Sequence, residues 1–263
     1  MTSHPTVRAW DQPRPDDNRR LCLAADIEQY SRFDTPGQRT AQAQLARVLR
    51  VAAERSGLDH GKWSTQPQGD MEFAVLPLGV SEQLVLGEFV THLTAELGCY
   101  NATRRPAGRM RLRLAIDTGV ASTAALGFSG PAPIAVARYL NAPEVKRALA
   151  TAGSASLVVV ISDRLYQDVV RSRSQDLDPV QYRRIHVQQK EFAGYGWVRL
   201  PGVDPQDVRE PWPGAPEEGS QPPARATESE QPSFVQHDVH GTAIQGVIHG
   251  SIVHGVVPGG AGR

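Results

Sequence analysis

Residues 21–31 read Leu21-Cys22-Leu23-Ala24-Ala25-Asp26-Ile27-Glu28-Gln29-Tyr30-Ser31. Five apolar residues, a carboxylate and a further apolar residue make 21–27 a buried strand that carries an acid at its end. Downstream, Ala41, Leu45, Val48, Leu49, Ala52 and Ala53 fall on one face of a helix over 38–55, which Gly57 stops. Trp63–Gln68 and Met71–Pro77 then read as two strands joined by Gln68-Gly69-Asp70, where Gly69 supplies the positive φ of a tight hairpin. A second helix over 81–100 precedes a strand over 110–118, in which Arg111 and Arg113 alternate with Leu112 and Leu114. Residues 132–150 are helical in composition, although Pro143 must end or bend that helix. An apolar strand over 156–162, a short helix over 163–171 and an antiparallel pair, 182–188 with 196–200, close the pattern. This order predicts an α+β domain with a mixed sheet flanked by helices.

The composition narrows the partners. The chain has 263 residues, 28 basic and 28 acidic side chains and a formal net charge of zero, so no general positive field draws it to nucleic acid or to an anionic membrane. No apolar run reaches the ~18 residues of a membrane span, and the first 20 residues, with Pro5, Pro13 and Pro15, lack a signal core; the expectation is a cytoplasmic protein. Cys22 and Cys99 make no metal or disulfide pattern. The organisation expected is a disordered leader over 1–20, a domain over 21–201, a linker over 202–233 and a tail over 234–263. The linker holds seven prolines and seven acids in 32 residues, too little apolar surface to offset the entropy of ordering it.

Four segments in order resemble the class III nucleotidyl cyclases. Asp26-Ile27, with Tyr30-Ser31 three residues on, resembles the family's first-strand motif, and Gln68-Gly69-Asp70-Met71-Glu72-Phe73 its Gly-Asp hairpin. Arg113-Leu-Ala-Ile-Asp-Thr-Gly119 is similar to its Gly-Ile-His-Thr-Gly strand, and Ala135-Val-Ala-Arg-Tyr-Leu140 to its Asn-x-Ala-x-Arg-Leu helix. The resemblance covers about 21–201 and implies a ferredoxin-like mixed or antiparallel sheet. It further implies a homodimer, with Mg²⁺ or Mn²⁺ on Asp26, Asp70 and the Ile27 carbonyl, and ATP or GTP as ligand with Arg138 and Lys190 on its phosphates. Carboxylates are the hard oxygen donors such ions take, and two ions would activate a 3′-hydroxyl and neutralise pyrophosphate. Taken singly, Asp26 and Asp70 read equally well as turn residues, Arg138 as a surface helix arginine and Lys190 as a solvated strand-end charge.

The departures from the family pattern bear on activity. Ile134 stands where a transition-state Asn is expected, Pro67 where a base-selecting Lys is expected, and Leu126-Gly-Phe-Ser-Gly130 has no acid to partner that lysine. A missing transition-state donor costs ~100-fold or more in rate.

The tail repeats a nine-residue unit, His240-Gly-Thr-Ala-Ile-Gln-Gly-Val-Ile248 and His249-Gly-Ser-Ile-Val-His-Gly-Val-Val257. Between Phe234 and Gly262 its only charged residue is Asp238. So β-prone a segment is too short for its own core and satisfies its backbone by stacking on identical segments, with the glycines as bends between short strands. Ile244-Gln245-Gly246-Val247, followed by His249-Gly250, resembles bacterial amyloid-signalling motifs. This implies homotypic assembly with an effector or NTPase carrying a matching motif, as in defence or cell-death systems. The four histidines of the tail match no zinc spacing, and a merely disordered Gly-rich tail is the competing reading. Two functions follow: a signalling adaptor with a degenerate cyclase-like domain, or an active cyclase making a cyclic nucleotide from ATP or GTP.

Overall fold

A computed structural model describes residues 18–172 and 177–203, together with the backbone of 243–248 and 251–256. The chain divides into two units, 1–218 and 219–263.

In the first unit, β1 (Asn18–Ile27) begins three residues before the expected strand, and β2 (Ser64–Gln68) and β3 (Met71–Val75) form the expected hairpin, with Gly69 at φ 64°. β4 (Leu112–Ala124) runs six residues beyond its expected end and turns back as β5 (Gly127–Ser129), which the sequence reading did not contain. β6 (Leu157–Ser162), β7 (Arg183–Gln189) and β8 (Phe192–Arg199) complete a sheet of order β2-β3-β1-β4-β6-β8-β7, with β5 beside β4. β4 and β6 pair in parallel and the other pairs are antiparallel, giving the expected mixed sheet.

Helices cover both faces. α1 (Thr35–Arg55) starts three residues early because the Asp34 side chain caps it, accepting the Gly37 N–H at 2.8 Å, with Pro36 in its first turn. The helix expected over 81–100 comprises α2 (Glu82–Leu84), a π-helical turn (Val85–Phe89) and α3 (Val90–Ala102). These pack on the face presenting Leu21, Leu23, Ala25 and Ile27 of β1 and Leu112, Leu114 and Ile116 of β4. The opposite face carries α4 (Pro131–Asn141) and α5 (Pro143–Thr151), separated at Pro143 as expected. α6 (Asp163–Leu165) continues into a second π-helical turn, Tyr166–Val170. No helix among the described residues is long and apolar enough to cross a membrane.

Small residues let α4 lie close to the sheet. A Cβ on Gly119 would stand 3.3 Å from that of Ala132, and one on Gly196 would stand 3.0 Å from the Tyr139 ring. Period-two alternation fixes which side chains share this face: Cys22, Ala24 and Asp26 from β1, Ala115 with Arg113 and Asp117 from β4, and Val158, Val160 and Ser162 from β6.

In the second unit, β9 (Ala243–Ile248) and β10 (Ser251–Val256) pair antiparallel. Gln245 stands opposite His254, Ile244 opposite Gly255 and Val247 opposite Ile252. Gly246 and Gly255 lie within the strands, not at the bends expected of them, and each repeat unit pairs with the other in the same chain. His249 and Gly250, the linker beyond residue 203 and the leader before residue 18 lie outside the described residues.

Candidate nucleotide site

The β1 end and the β2–β3 hairpin bring Asp26 and Asp70 to one place. The Ile27 N–H donates to the Asp70 carbonyl at 3.0 Å, so the turn that carries Asp70 is tied to the strand end that carries Asp26. The Ile27 side chain is buried under the α1–α3 layer. Asp26 is 7% exposed, and Arg113 clamps its carboxylate: Nε donates to Oδ1 at 2.8 Å and Nη2 donates to Oδ2. Burial pushes the Asp26 carboxyl up to about 6 against the pull of Arg113, and the neighbouring Asp70 charge adds to the rise. Lys146 of α5 also acts on it. Next to this pair, Arg111 binds Glu28 at 3.1 Å and donates to the carbonyls of Ala152 and Ala155, which ties the end of α5 to the start of β4.

Arg113 and Arg111 were visible in the sequence only as the charged half of an alternating strand. Their partners sit on a neighbouring strand nearly 90 positions away, which one-dimensional spacing does not reveal. Two carboxylates and a carbonyl are the donor types a hard divalent ion takes, but both Asp26 oxygens are engaged by Arg113, which an ion would have to displace. Among the described residues no group of three or more His, Cys, Asp or Glu side chains gathers to hold a metal.

Arg138 and Lys190 are brought together at a different place. Arg138, in the last turn of α4, donates from Nη2 to Glu191 Oε1 at 2.9 Å, and Glu191 follows Lys190 in the β7–β8 turn. Lys190 occupies the left-handed region at φ 52°. Arg138 lowers the exposed Glu191 carboxyl together with a backbone hydrogen bond in the turn, the larger cause. The buried Arg138 Nε has no hydrogen-bond partner. Neither Arg138 nor Lys190 is among the charges acting on Asp26. Ile134, one turn before Arg138 on α4, is 50% exposed.

On the far side of α4 a 240 Å³ cavity is lined by Ala24, Gln66, Met71, Phe73, Phe128 and Pro133, among others. The Gln66 amide donates to the Leu126 carbonyl at 3.3 Å, bridging β2 to the turn after β4, while Pro67 faces Glu72 across the hairpin. No formal charge lines this cavity; Leu126 and Phe128 of the acid-free stretch 126–130 are part of its wall, whereas Pro67 is not.

This architecture recurs in known proteins. The chain is similar to the guanylyl cyclase Cya2, at 13% identity and TM-score 0.50 over 75% of this chain and 96% of that one. The fold is that of a nucleotidyl cyclase domain. A cyclase from Silicibacter pomeroyi (18% identity, 71% and 99% coverage, TM-score 0.48) and the guanylate cyclase domain of RhGC from Catenaria anguillulae in complex with GTP (17%, 70% and 97%, TM-score 0.46) are also similar. No protein-family model and no curated protein matches the chain. Within the cyclase fold, the Asp26–Asp70 end and the Arg138–Lys190 end are two separate charged regions of one chain.

Proposed function

We propose that the domain is a degenerate nucleotidyl cyclase that homodimerises and binds a metal–nucleoside triphosphate with little or no turnover. It serves in the cytosol as the regulatory part of a signalling adaptor whose tail assembles with a matching motif on an effector. The observation that carries this reading is the state of α4. Its exposed face offers the hydrocarbon of Ile134, and its one cation, Arg138, is engaged by Glu191. A developing charge there meets an alkyl side chain and a guanidinium already shared with Glu191. The carboxylate pair Asp26 and Asp70, supplemented by the Ile27 carbonyl, would hold Mg²⁺ or Mn²⁺; the ion would supply charge neutralisation for ATP or GTP phosphates. A second copy would bring Arg138 and Lys190 to those phosphates. The tied Asp26–Asp70 arrangement also favours a second reading, a cyclase with residual activity on ATP or GTP. The tail's antiparallel β9–β10 ladder, in which the two repeat units pair with each other and which among the described residues has no further strand beside it, suits edge-to-edge assembly in a defence or cell-death system.

Thermal unfolding of the full chain with Mn²⁺ and GTP or ATP tests the binding. A ligand-dependent rise that Asp26→Ala erases is expected; equal rises in both proteins would contradict it.

A further inference from the structure

Between Leu97 and Ile116 the chain carries five arginines and no acid. Two of them, Arg111 and Arg113 at the start of β4, are engaged by Glu28 and Asp26. The other three, Arg104, Arg105 and Arg109, belong to the turn between α3 and β4, which a 3₁₀ helix, Pro106–Gly108, folds tightly. The Arg104 guanidinium lies 3.5 Å from the centre of the Tyr100 ring and donates to the Tyr100 carbonyl at 2.9 Å. Arg109 Nε donates to the Arg104 carbonyl at 3.4 Å, and Arg32, from the loop after β1, donates from Nη2 to the Arg109 carbonyl. The Gly108 N–H donates to the Arg105 carbonyl at 2.8 Å and the Arg109 N–H to the Pro106 carbonyl at 3.2 Å. Arg105 and Arg109 thus stand at the two ends of one turn, about 8 Å of 3₁₀ rise apart. Arg32, Arg105 and Arg109 are exposed. Among the described residues none of the four arginines has a carboxylate within ion-pair distance, and the Arg105 side chain has no hydrogen-bond partner either. The acids that flank Arg32, Glu28 and Asp34, are engaged by Arg111 and by the first turn of α1.

A chain of zero net charge therefore carries a local concentration of cations, three of them pinned to backbone carbonyls. Guanidiniums present a fork of donors that fits phosphate oxygens, and pinning lowers the rotamer entropy lost on binding. Nucleic-acid backbones and anionic bilayers both present phosphates in rows. Stable attachment to a bilayer adds apolar side chains or a lipid chain to the charge. The turn offers only Thr103, Pro106, Ala107 and Gly108 besides its arginines, and the exposed Leu78, Leu126, Ile134 and Val180 belong to other segments. Tyr100 and Phe33, the rings beneath Arg104 and Arg32, are covered by them and not open to the stacking that single strands use. We propose that the α3–β4 turn, together with Arg32, binds the phosphate backbone of double-stranded nucleic acid without reading its sequence. The patch shares no residue with the Asp26–Asp70 pair and does not rest on the cyclase reading.

Fluorescence anisotropy of a labelled DNA duplex of about 20 base pairs, titrated with the full chain in EDTA, tests it. Affinity should fall roughly 100-fold between 50 and 200 mM salt, the slope of about −0.9 per phosphate expected for four arginines. Arg105→Gln, which removes no contact of the fold, should reduce that slope by about one. Arg105→Gln/Arg109→Gln should reduce it by about two and weaken binding about tenfold at the lower salt. Arg147→Gln, at an exposed arginine of α5 on the other face of the sheet, should bind as the native protein does. No duplex binding at 50 mM salt with about 100 µM protein would overturn the proposal, as would an affinity and slope unchanged in the double variant. Vesicles containing phosphatidylserine are the second probe: binding to them that needs Arg105 and Arg109, with none to the duplex, would assign the patch to membranes and overturn it as well.

Discussion

Asp26 and Arg113 face each other across the β1–β4 ladder and share two hydrogen bonds, with both side chains largely buried. Burial still outweighs the guanidinium and holds the Asp26 carboxyl near 6, against 3.8 for the free group. The folded state therefore binds the proton more tightly than the unfolded one. The stability that Asp26 contributes is complete below about pH 4 and is lost as pH rises through about 6, by roughly 3 kcal/mol for a shift of two units. Urea denaturation of native protein and Asp26→Asn across this range isolates the effect. The native protein should lose stability relative to the variant between pH 4 and 7; parallel curves would contradict it.

Arg113→Met leaves the Asp26 carboxylate buried without its partner. A loss of ~3–5 kcal/mol is expected near pH 8, and a smaller one near pH 5, where the carboxyl protonates more readily. Asp26→Asn/Arg113→Met should regain much of the loss. A pH-independent cost for the single variant would show that Arg113 acts through packing.

Much of this arrangement was legible beforehand. The apolar run 21–27 and the Gly69 turn placed Asp26 and Asp70 at strand ends, and Pro143 divided the helix as expected. The misses have physical causes. Gly127 and Gly130, at φ 122° and 118°, turn the chain from β4 into β5 and on to α4, and a three-residue strand between two glycines leaves too short a pattern for periodicity to mark. Lys190 adopts a left-handed conformation that a non-glycine residue does not advertise, so the β7–β8 turn was read as a longer gap. The Arg113–Asp26 clamp depends on strand neighbours distant in sequence, and no local spacing encodes it.

Gly130 joins β5 to α4 at φ 118°, and a Cβ there would stand 2.4 Å from the Val120 carbonyl oxygen. Gly130→Ala should destabilise the domain by ~2–4 kcal/mol, measured by thermal or urea unfolding. A change within about 0.5 kcal/mol would mean that the turn relaxes freely.

Glu96 of α3 is buried and receives Arg47 at 3.3 Å and Arg55 at 3.0 Å, both from α1. Either arginine alone satisfies the carboxylate in part. Arg47→Ala and Arg55→Ala should each cost under about 1 kcal/mol, and together about 1 kcal/mol more than their sum. Additive losses in the double-mutant cycle would separate the two contacts.

Glu191 competes with any phosphate for Arg138. Glu191→Ala should leave the melting temperature unchanged and tighten Mn²⁺-dependent triphosphate binding several-fold, as read by titration. Weaker binding would show that Arg138 needs Glu191 to hold it in place.

A peptide spanning residues 233–263 should form fibres with the ~4.7 Å cross-β spacing. Ile244→Asp/Gln245→Asp should abolish them, because charges then stack in register. A monomeric, unstructured peptide at high concentration would remove the assembly role of the tail.

On the proposed function, the domain has the cyclase fold and binds a metal–nucleotide without turning it over. Incubating the full chain with Mn²⁺ and ATP or GTP, then separating the nucleotides by chromatography with Asp70→Ala as control, tests it most directly. No cyclic nucleotide above the control is expected. Cyclic product that forms with the native protein and disappears with Asp70→Ala would contradict it, and would show that another group replaces the donor missing at Ile134.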